Sequence, residues 1–227
     1  MPVFPLVIFD LDGTLVDSAD DIVESLNLTL SGAGLQPVSG AQGRSWIGEG
    51  VRVLLATALR AQGQESRLDE LMPEMMRHYA DCLLHQPRLY PGVVEALDGL
   101  RAAGCRLMVC TNKPIRFVAP LLQHLGVADY FETLLGGDSL PQRKPDPAPL
   151  LHLAALAGLS PQQCLMVGDS ATDAGAAQAA QMPLAMVRRL CRPRISGRIA
   201  HHQTLLRRQS RQRSQMQQRR RIRLALR

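Results

Sequence analysis

The sequence LVIFDLDGT occupies residues 6–14 and decides the fold of this chain. A short apolar run that ends in Asp, Gly and Thr is typical of a buried parallel strand that delivers side chains to a loop at its carboxyl end. Open α/β sheets bind ligands at that edge. Asp10 and Asp12 are two residues apart on an extended backbone, so they face the same side. One carboxylate can act there as a nucleophile while the other handles protons.

Three further stretches follow strand-like runs in a fixed order. The run 107–110 is followed by Thr111, Asn112 and Lys113, whose hydroxyl, amide and ammonium groups are phosphate-binding donors. Lys144 stands in the sequence RKPDP, a proline-stiffened turn that precedes a helical stretch from about residue 148 to 157.

The last of these stretches is GDSATD, residues 168–173, which follows the apolar run 165–167. Its carboxylates are the hard oxygen ligands that suit Mg²⁺. Each stretch has an ordinary structural explanation as well: Asp169 and Asp173 suit the first turn of a helix, and a single lysine is usually solvated. The order of all four stretches at strand ends favours instead a phosphate site with a metal.

The four motifs resemble those of the haloacid dehalogenase superfamily of phosphatases, over about residues 5–187. Within that superfamily, the segments WIGEG (46–50), TNKP with FVAPLL (111–122) and GGD (136–138) are similar to those of the bacterial enzymes that hydrolyse 2-phosphoglycolate. The resemblance implies that Asp10 attacks the phosphoryl group and forms an aspartyl phosphate. It implies that Asp12 protonates the leaving group and then deprotonates the attacking water.

The same resemblance implies the ligands of the site. Mg²⁺ is expected at the Asp10 carboxylate, the Asp12 backbone carbonyl and Asp169, with Asp173 as a further metal residue acting directly or through water. The phosphoryl oxygens are expected at three side chains and one flexible backbone position, namely Thr111, Asn112, Lys144 and Gly13.

The resemblance also divides the chain. The expected fold is α/β, with a Rossmann-like parallel sheet core at 1–16 and 89–187 and an inserted helical cap at 17–88. Substrate specificity is expected in the loop Arg44–Gly50, where Gly48 and Gly50 allow close backbone approach to a small carboxylate. An equally weighted alternative is that Trp46 is a core anchor and the two glycines form only a turn.

The cysteines and the amino-terminal segment indicate the compartment. The five cysteines are odd in number and lack C-x-x-C spacing, which favours free thiols in a reducing cytoplasm. The apolar run that ends at Phe9 is too short to span a membrane and lacks a basic leader, so neither a membrane anchor nor a secretion signal is expected.

Residues 188–227 depart from the family pattern. This Arg/Gln-rich tail holds 14 Arg and no acid, whereas the preceding body holds 12 Lys or Arg and 20 acids, which gives charges of +14 and −8. The tail is expected to be disordered. One explanation is a functional extension that binds nucleic acid. The other, which we favour, is a shifted reading frame near residue 188, because the family pattern continues there with a helix and a final edge strand.

The predicted function is a Mg²⁺-dependent phosphatase that acts on a small phosphorylated acid, with 2-phosphoglycolate as the leading substrate. Phosphatases and mutases for other phosphate esters, such as sugar phosphates, share the same motifs and are the alternative. An alternative of another class is a nucleic-acid-binding protein with an inactive body. The sequence leaves the oligomeric state open.

Overall fold

A five-stranded parallel sheet forms the centre of the protein. The structure is a computed structural model, and it describes residues 4–187. The strands run in the order β5–β4–β1–β6–β7, and every neighbouring pair is parallel. Their bounds are β1 Leu6–Phe9, β4 Arg106–Cys110, β5 Thr133–Leu135, β6 Cys164–Gly168 and β7 Leu184–Met186. Because β1 lies in the middle, the loops after β1, β4 and β6 meet at one edge.

Helices cover both faces of this sheet. They are α5 Val93–Ala102, α6 Ile115–His124, α7 Ala148–Leu156 and α8 Ala171–Ala179. Alternate β1 side chains point to opposite faces, so Leu6 and Ile8 pack in the cluster with α7 and α8, and Val7 and Phe9 in the cluster with α5 and α6. Burial on both faces explains why β1 is a continuous apolar run.

A separate helical segment lies between the first two strands of the central sheet in the chain. Its helices are α1 Ala19–Gly32, α2 Gly40–Ser45, α3 Val51–Arg60 and α4 Leu68–Cys82. They bury a third apolar cluster that includes Leu26, Leu55 and Met75. An apolar cluster of its own supports the prediction that this segment is a separate helical cap. The boundaries of the cap at residues 17 and 88 remain a proposal.

A two-stranded antiparallel ladder joins this segment to the sheet. Strand β2, Val16–Asp17, pairs with β3, Arg88–Leu89. The predicted domain boundaries at 16/17 and 88/89 fall within this ladder. A further contact connects the two segments that lead into and out of the helical segment. The carboxylate of Asp21 in α1 accepts a hydrogen bond from the backbone N–H of Gln86.

The predicted parallel α/β fold is confirmed, and one local expectation needs correction. The first part of the loop predicted at Arg44–Gly50 is helical, because α2 extends to Ser45. Ser18 stands at the N-cap of α1 but makes no side-chain capping bond there, since its hydroxyl donates to Asp12. Strand β7 forms one edge of the sheet as described, and the predicted tail at 188–227 lies outside the described residues. None of the helices within 4–187 is long and apolar enough to cross a membrane.

Candidate active site

Two aspartates stand at the carboxyl end of the central strand. Asp10 follows β1 directly, and its backbone N–H donates to the carbonyl of Val167 on the neighbouring strand at 2.9 Å. Asp12 lies on the following turn, where Gly13 adopts a φ of 94° and its N–H donates to Val16. Asp10 is only 6% exposed. The turn therefore presents two carboxylates that are largely withdrawn from water.

Lys144 lies between two of the buried carboxylates. Its Nζ donates to Asp10 Oδ1 at 2.9 Å, to Asp173 Oδ1 at 2.6 Å and to the carbonyl of Cys110 at 2.6 Å. Burial raises the pKa of Asp10 to about 6, although the Lys144 ammonium opposes the rise. Burial alone would lower the pKa of Lys144, but the charges of Asp10, Cys110 and Asp173 together with the hydrogen bond to Asp173 raise it. Lys144 is therefore a fixed cation beside the Asp10 carboxylate.

A second acidic loop after β6 completes a carboxylate cluster. Asp10, Asp169 and Asp173 each place a carboxylate oxygen within 4.8 Å of the others. Asp169 accepts a hydrogen bond from Thr14 Oγ1 at 3.2 Å. Oδ2 of Asp173 accepts hydrogen bonds from Ser170 Oγ and two backbone N–H groups, while its Oδ1 faces Lys144. Both oxygens of Asp173 are thus engaged by the protein itself.

The donor set of this cluster fits a divalent cation. Asp10, Asp12, Asp169 and Asp173 supply four carboxylates, and the two lysines of the site supply two ammonium groups. Asp10 and Asp173 are buried close to Asp169, and several carboxylates gathered in such a setting are costly unless cations balance them. Carboxylate and carbonyl oxygens are the ligands that Mg²⁺ prefers. The residues present therefore suit Mg²⁺.

The loop after β4 brings the predicted Thr111 and Asn112 to the same edge. Thr111 Oγ1 accepts a hydrogen bond from the backbone N–H of Lys113 at 3.2 Å, so its own proton is available to an anion. Asn112 Nδ2 donates to the carbonyls of Gly48 and Lys144, each at 3.0 Å. This amide nitrogen therefore connects two loops of the cleft, and the predicted role of Asn112 toward the phosphoryl oxygens stays a prediction.

Three residues contact or surround Asp12 in a way that the sequence did not predict. Lys113 Nζ lies 3.1 Å from Asp12 Oδ1 and also donates to the hydroxyl of Tyr79. Ser18 Oγ donates to Asp12 Oδ1 at 2.5 Å. Burial would lower the pKa of Lys113, but Asp12 and Tyr79 together raise it, and burial raises the pKa of Tyr79. The motif contained Lys113, but no sequence signal pointed to Tyr79, which has the spacing of an apolar helix face.

The helical segment covers this edge of the sheet. The carbonyl of Gly48 accepts hydrogen bonds from Asn112 Nδ2 and from Thr172 Oγ1, the latter at 3.4 Å. Gly50 has a φ of 93°, and a Cβ there would lie 3.1 Å from the carbonyl oxygen of Asn112. A cleft that is partly open to solvent remains between the helical segment and the edge of the sheet. Its lining combines Asp10, Asp12 and the loop after β4 with residues from α1, α3 and α4.

Fold and site together define a class of proteins with a Rossmann-like parallel sheet, an aspartate at the end of the central strand and a helical segment over that aspartate. The chain belongs to the haloacid dehalogenase-like hydrolase family, which it matches over residues 7–187. The family predicted from the motifs is thereby confirmed.

Individual proteins of known sequence or structure are also similar to this chain. Phosphoglycolate phosphatase 1 of Pseudomonas aeruginosa is 44% identical over 181 residues, which are 77% of this chain and 66% of that protein. Phosphoglycolate phosphatase of Agrobacterium fabrum is 44% identical over 185 residues, 80% of this chain and 79% of the relative. The crystal structure of a predicted phosphoglycolate phosphatase from Haemophilus somnus superposes with a TM-score of 0.76 at 38% identity and covers 82% of this chain and 86% of that one. This chain spans just under two thirds of the Pseudomonas relative. The predicted resemblance to bacterial phosphoglycolate phosphatases is confirmed.

Proposed function

We propose that this protein is a Mg²⁺-dependent phosphatase that hydrolyses 2-phosphoglycolate to glycolate and phosphate. The observation that carries the proposal is the buried Asp10–Lys144 pair at the end of β1, with Asp12 two residues further on. Relatives that share 44% of the aligned residues are named for this activity.

Asp10 is the nucleophile in this proposal. Its carboxylate attacks phosphorus and forms an aspartyl phosphate, and the bond from phosphorus to the substrate oxygen breaks. Lys144 Nζ, 2.9 Å from Asp10 Oδ1, orients the attacking carboxylate and offers positive charge to the phosphoryl oxygens. The free hydroxyl proton of Thr111 is a second donor to those oxygens, and Asn112 holds the loop in place.

Asp12 is the proton-transfer residue in this proposal. It gives a proton to the departing glycolate oxygen and later takes one from the water that attacks the aspartyl phosphate. Ser18 and Lys113 both bind Oδ1 of Asp12, at 2.5 and 3.1 Å, and so fix the direction of this carboxylate.

Asp10, Asp169 and the backbone carbonyl of Asp12 are the residues that would hold Mg²⁺. Asp173 supports them from outside, because both of its oxygens are engaged by Lys144 and by the loop 169–170. Bound Mg²⁺ supplies positive charge that lets the anionic nucleophile and the anionic phosphate approach each other.

Residues 17–88 act as a cap in this proposal and keep water from the aspartyl phosphate while glycolate leaves. The hydrogen bonds from Asn112 and Thr172 to the Gly48 carbonyl support a closed arrangement. We also place the protein in the cytoplasm, because Cys82, Cys105, Cys110 and Cys164 are all free thiols.

Phosphate release from 2-phosphoglycolate tests the proposal. We expect release that requires Mg²⁺, stops when the metal is chelated, and falls at least about 10³-fold in Asp10→Asn, because removal of a nucleophile removes the covalent route. Asp81→Asn on the exposed face of α4 is the matched control and should leave the rate unchanged.

A panel of sugar phosphates separates the alternatives. Preference for a sugar phosphate would replace 2-phosphoglycolate as the substrate, and an isomerised product that retains its phosphate would indicate a mutase. No release from any substrate by folded protein would contradict the proposal, and salt-sensitive RNA binding by that protein would then favour the nucleic-acid alternative.

A further inference from the structure

A second buried lysine lines the cleft beside the proton-transfer residue. The side chain of Lys113 is 0% exposed, yet it borders the cleft together with Asp12 and Tyr79. An ammonium group has three N–H donors. Both carboxylate oxygens of Asp12, 3.1 and 3.4 Å from Nζ, and the Tyr79 hydroxyl accept hydrogen bonds from it. Among residues 4–187 these two side chains are its hydrogen-bond partners, so the ammonium is held beside Asp12 at the border of the cleft.

Lys113 is also the sole cationic side chain among the described residues that line the cleft. Lys144 lies deeper, and its three donors are committed to Asp10, Asp173 and the Cys110 carbonyl. The two lysines therefore have different carboxylate partners and different positions. Lys144 holds the carboxylates of Asp10 and Asp173. Lys113 lies in the cleft lining beside Asp12.

The start of α3 adds positive potential to the lining of the same cleft. Gly50 and Val51 line the cleft, and α3 begins at Val51. The first N–H groups of a helix lack intrahelical acceptors, and the helix dipole makes this end favourable for anions. The left-handed φ of Gly50 places this turn against Asn112, beside Lys113 in the chain.

We infer that Lys113, held by Tyr79 and faced by the start of α3, forms the subsite for the carboxylate of the substrate. This inference rests on the proposed function. In 2-phosphoglycolate a single methylene separates the carboxylate from the oxygen that Asp12 protonates. A cation that contacts Asp12 is therefore placed to contact the carboxylate as well. Tyr79 makes the recognition depend on α4, because its hydroxyl and its ring, 4.7 Å from Nζ, both hold Lys113.

A competing explanation is that Lys113 only positions Asp12. The two explanations differ in how the loss of Lys113 affects different substrates. Positioning of Asp12 affects every alkyl phosphate equally, whereas a carboxylate subsite affects only substrates that carry a carboxylate. Ethyl phosphate has the same alkyl phosphate linkage as 2-phosphoglycolate and lacks the carboxylate.

The experiment measures kcat/KM for 2-phosphoglycolate and for ethyl phosphate in the wild type, Lys113→Met and Tyr79→Phe. We expect the ratio of the two values to fall about 10- to 100-fold in Lys113→Met, as the loss of a charge-assisted hydrogen bond predicts. Tyr79→Phe should lower the ratio less and mainly through KM, and Lys113→Arg should restore part of it. The control Arg52→Met, in the exposed pair with Asp69, should keep the wild-type ratio.

Equal losses on both substrates would overturn the inference and assign Lys113 to Asp12 alone. If Lys113→Met does not fold, titration of the wild type and Tyr79→Phe with phosphonoacetate and ethylphosphonate replaces it. Tighter binding of phosphonoacetate that weakens in Tyr79→Phe supports the subsite, and equal binding of both ligands overturns it. A wild type that hydrolyses ethyl phosphate without preferring 2-phosphoglycolate refutes the subsite and leaves phosphatase activity intact. A wild type that hydrolyses neither refutes the proposed function itself.

Discussion

The stability of individual buried charged residues in this protein depends on the oppositely charged residues that they contact. Lys144 is 2% exposed and contacts Asp10 and Asp173, which are 6% and 0% exposed. In such a triad each charge is tolerated because the others are present, and removal of one member leaves an uncompensated charge in a poor solvent for ions. The residues of highest chemical interest are therefore also important for stability.

Lys144→Met tests this dependence. We expect the free energy of unfolding, measured by urea denaturation without Mg²⁺, to fall by about 3–5 kcal/mol, because two carboxylates lose their shared cation. Arg52→Met, which breaks an exposed ion pair, should change it by less than about 0.5 kcal/mol. Equal stability of the two variants would show that the carboxylates find other compensation.

The site was predictable at the residues that directly follow strands. Asp10, Thr111 and Asp169 stand where apolar runs end, so the sequence placed them at one edge of a parallel sheet. The contact between Lys113 and Asp12 joins residues 101 positions apart, and no local pattern encodes it. Tyr79 was unpredictable for the same reason, since its partner lies on another layer of the fold.

Among the secondary-structure elements, helix α6 has its first turn held by a side chain from a neighbouring loop. Helix α6 begins just after the predicted TNKP motif, and its N-terminal residue Ile115 donates its backbone N–H to Asp138 Oδ1 at 2.8 Å. Asp138 belongs to the GGD segment after β5. A Cβ at Gly137 of this segment would collide with the backbone of Asn112. The GGD segment therefore packs directly on the loop that carries Thr111.

Asp138→Ala tests the capping interaction. We expect a loss of about 1 kcal/mol in the free energy of unfolding, because an orphan N–H at the start of α6 loses its acceptor. Asp129→Ala, a similarly exposed aspartate on a short 3₁₀ helix, is the control and should have a much smaller effect. A loss that is equal in the two variants would argue against a specific cap.

Helices and strands with a strong apolar pattern were predicted closely, and short ones were missed. The predicted helix at about 148–157 is α7, Ala148–Leu156, and the apolar run that precedes Asp10 contains β1, Leu6–Phe9. Helix α2, with the sequence GAQGRS, lacks apolar periodicity, so its helical state depends on packing against its neighbours. The ladder of β2 with β3 is only two residues long on each side and offers no pattern at all.

Charge is distributed unevenly over the whole molecule. Residues 1–187 carry a net charge of −8 and residues 188–227 a net charge of +14, which together give the +6 of the full chain. Anionic polymers are attracted to Arg-rich segments through counterion release. The chain thus combines an acidic catalytic body with a segment of opposite charge.

Deletion of residues 188–227 tests what the basic segment contributes. We expect the full chain to be retained on RNA or heparin at low salt and released steeply as salt rises, and the truncated chain to pass through. Phosphate release and the thermal midpoint should be the same for both proteins if the segment arose from a shifted frame. A lower midpoint after truncation would show instead that the segment completes the fold.

The chain contains only two lysines, Lys113 and Lys144, against 24 arginines. Their side chains are 0% and 2% exposed. Amine-reactive reagents therefore meet a folded body, residues 4–187, with no accessible lysine side chain. Slow acylation of either lysine would in turn report when the cleft opens, and a ligand that occupies it would delay the reaction.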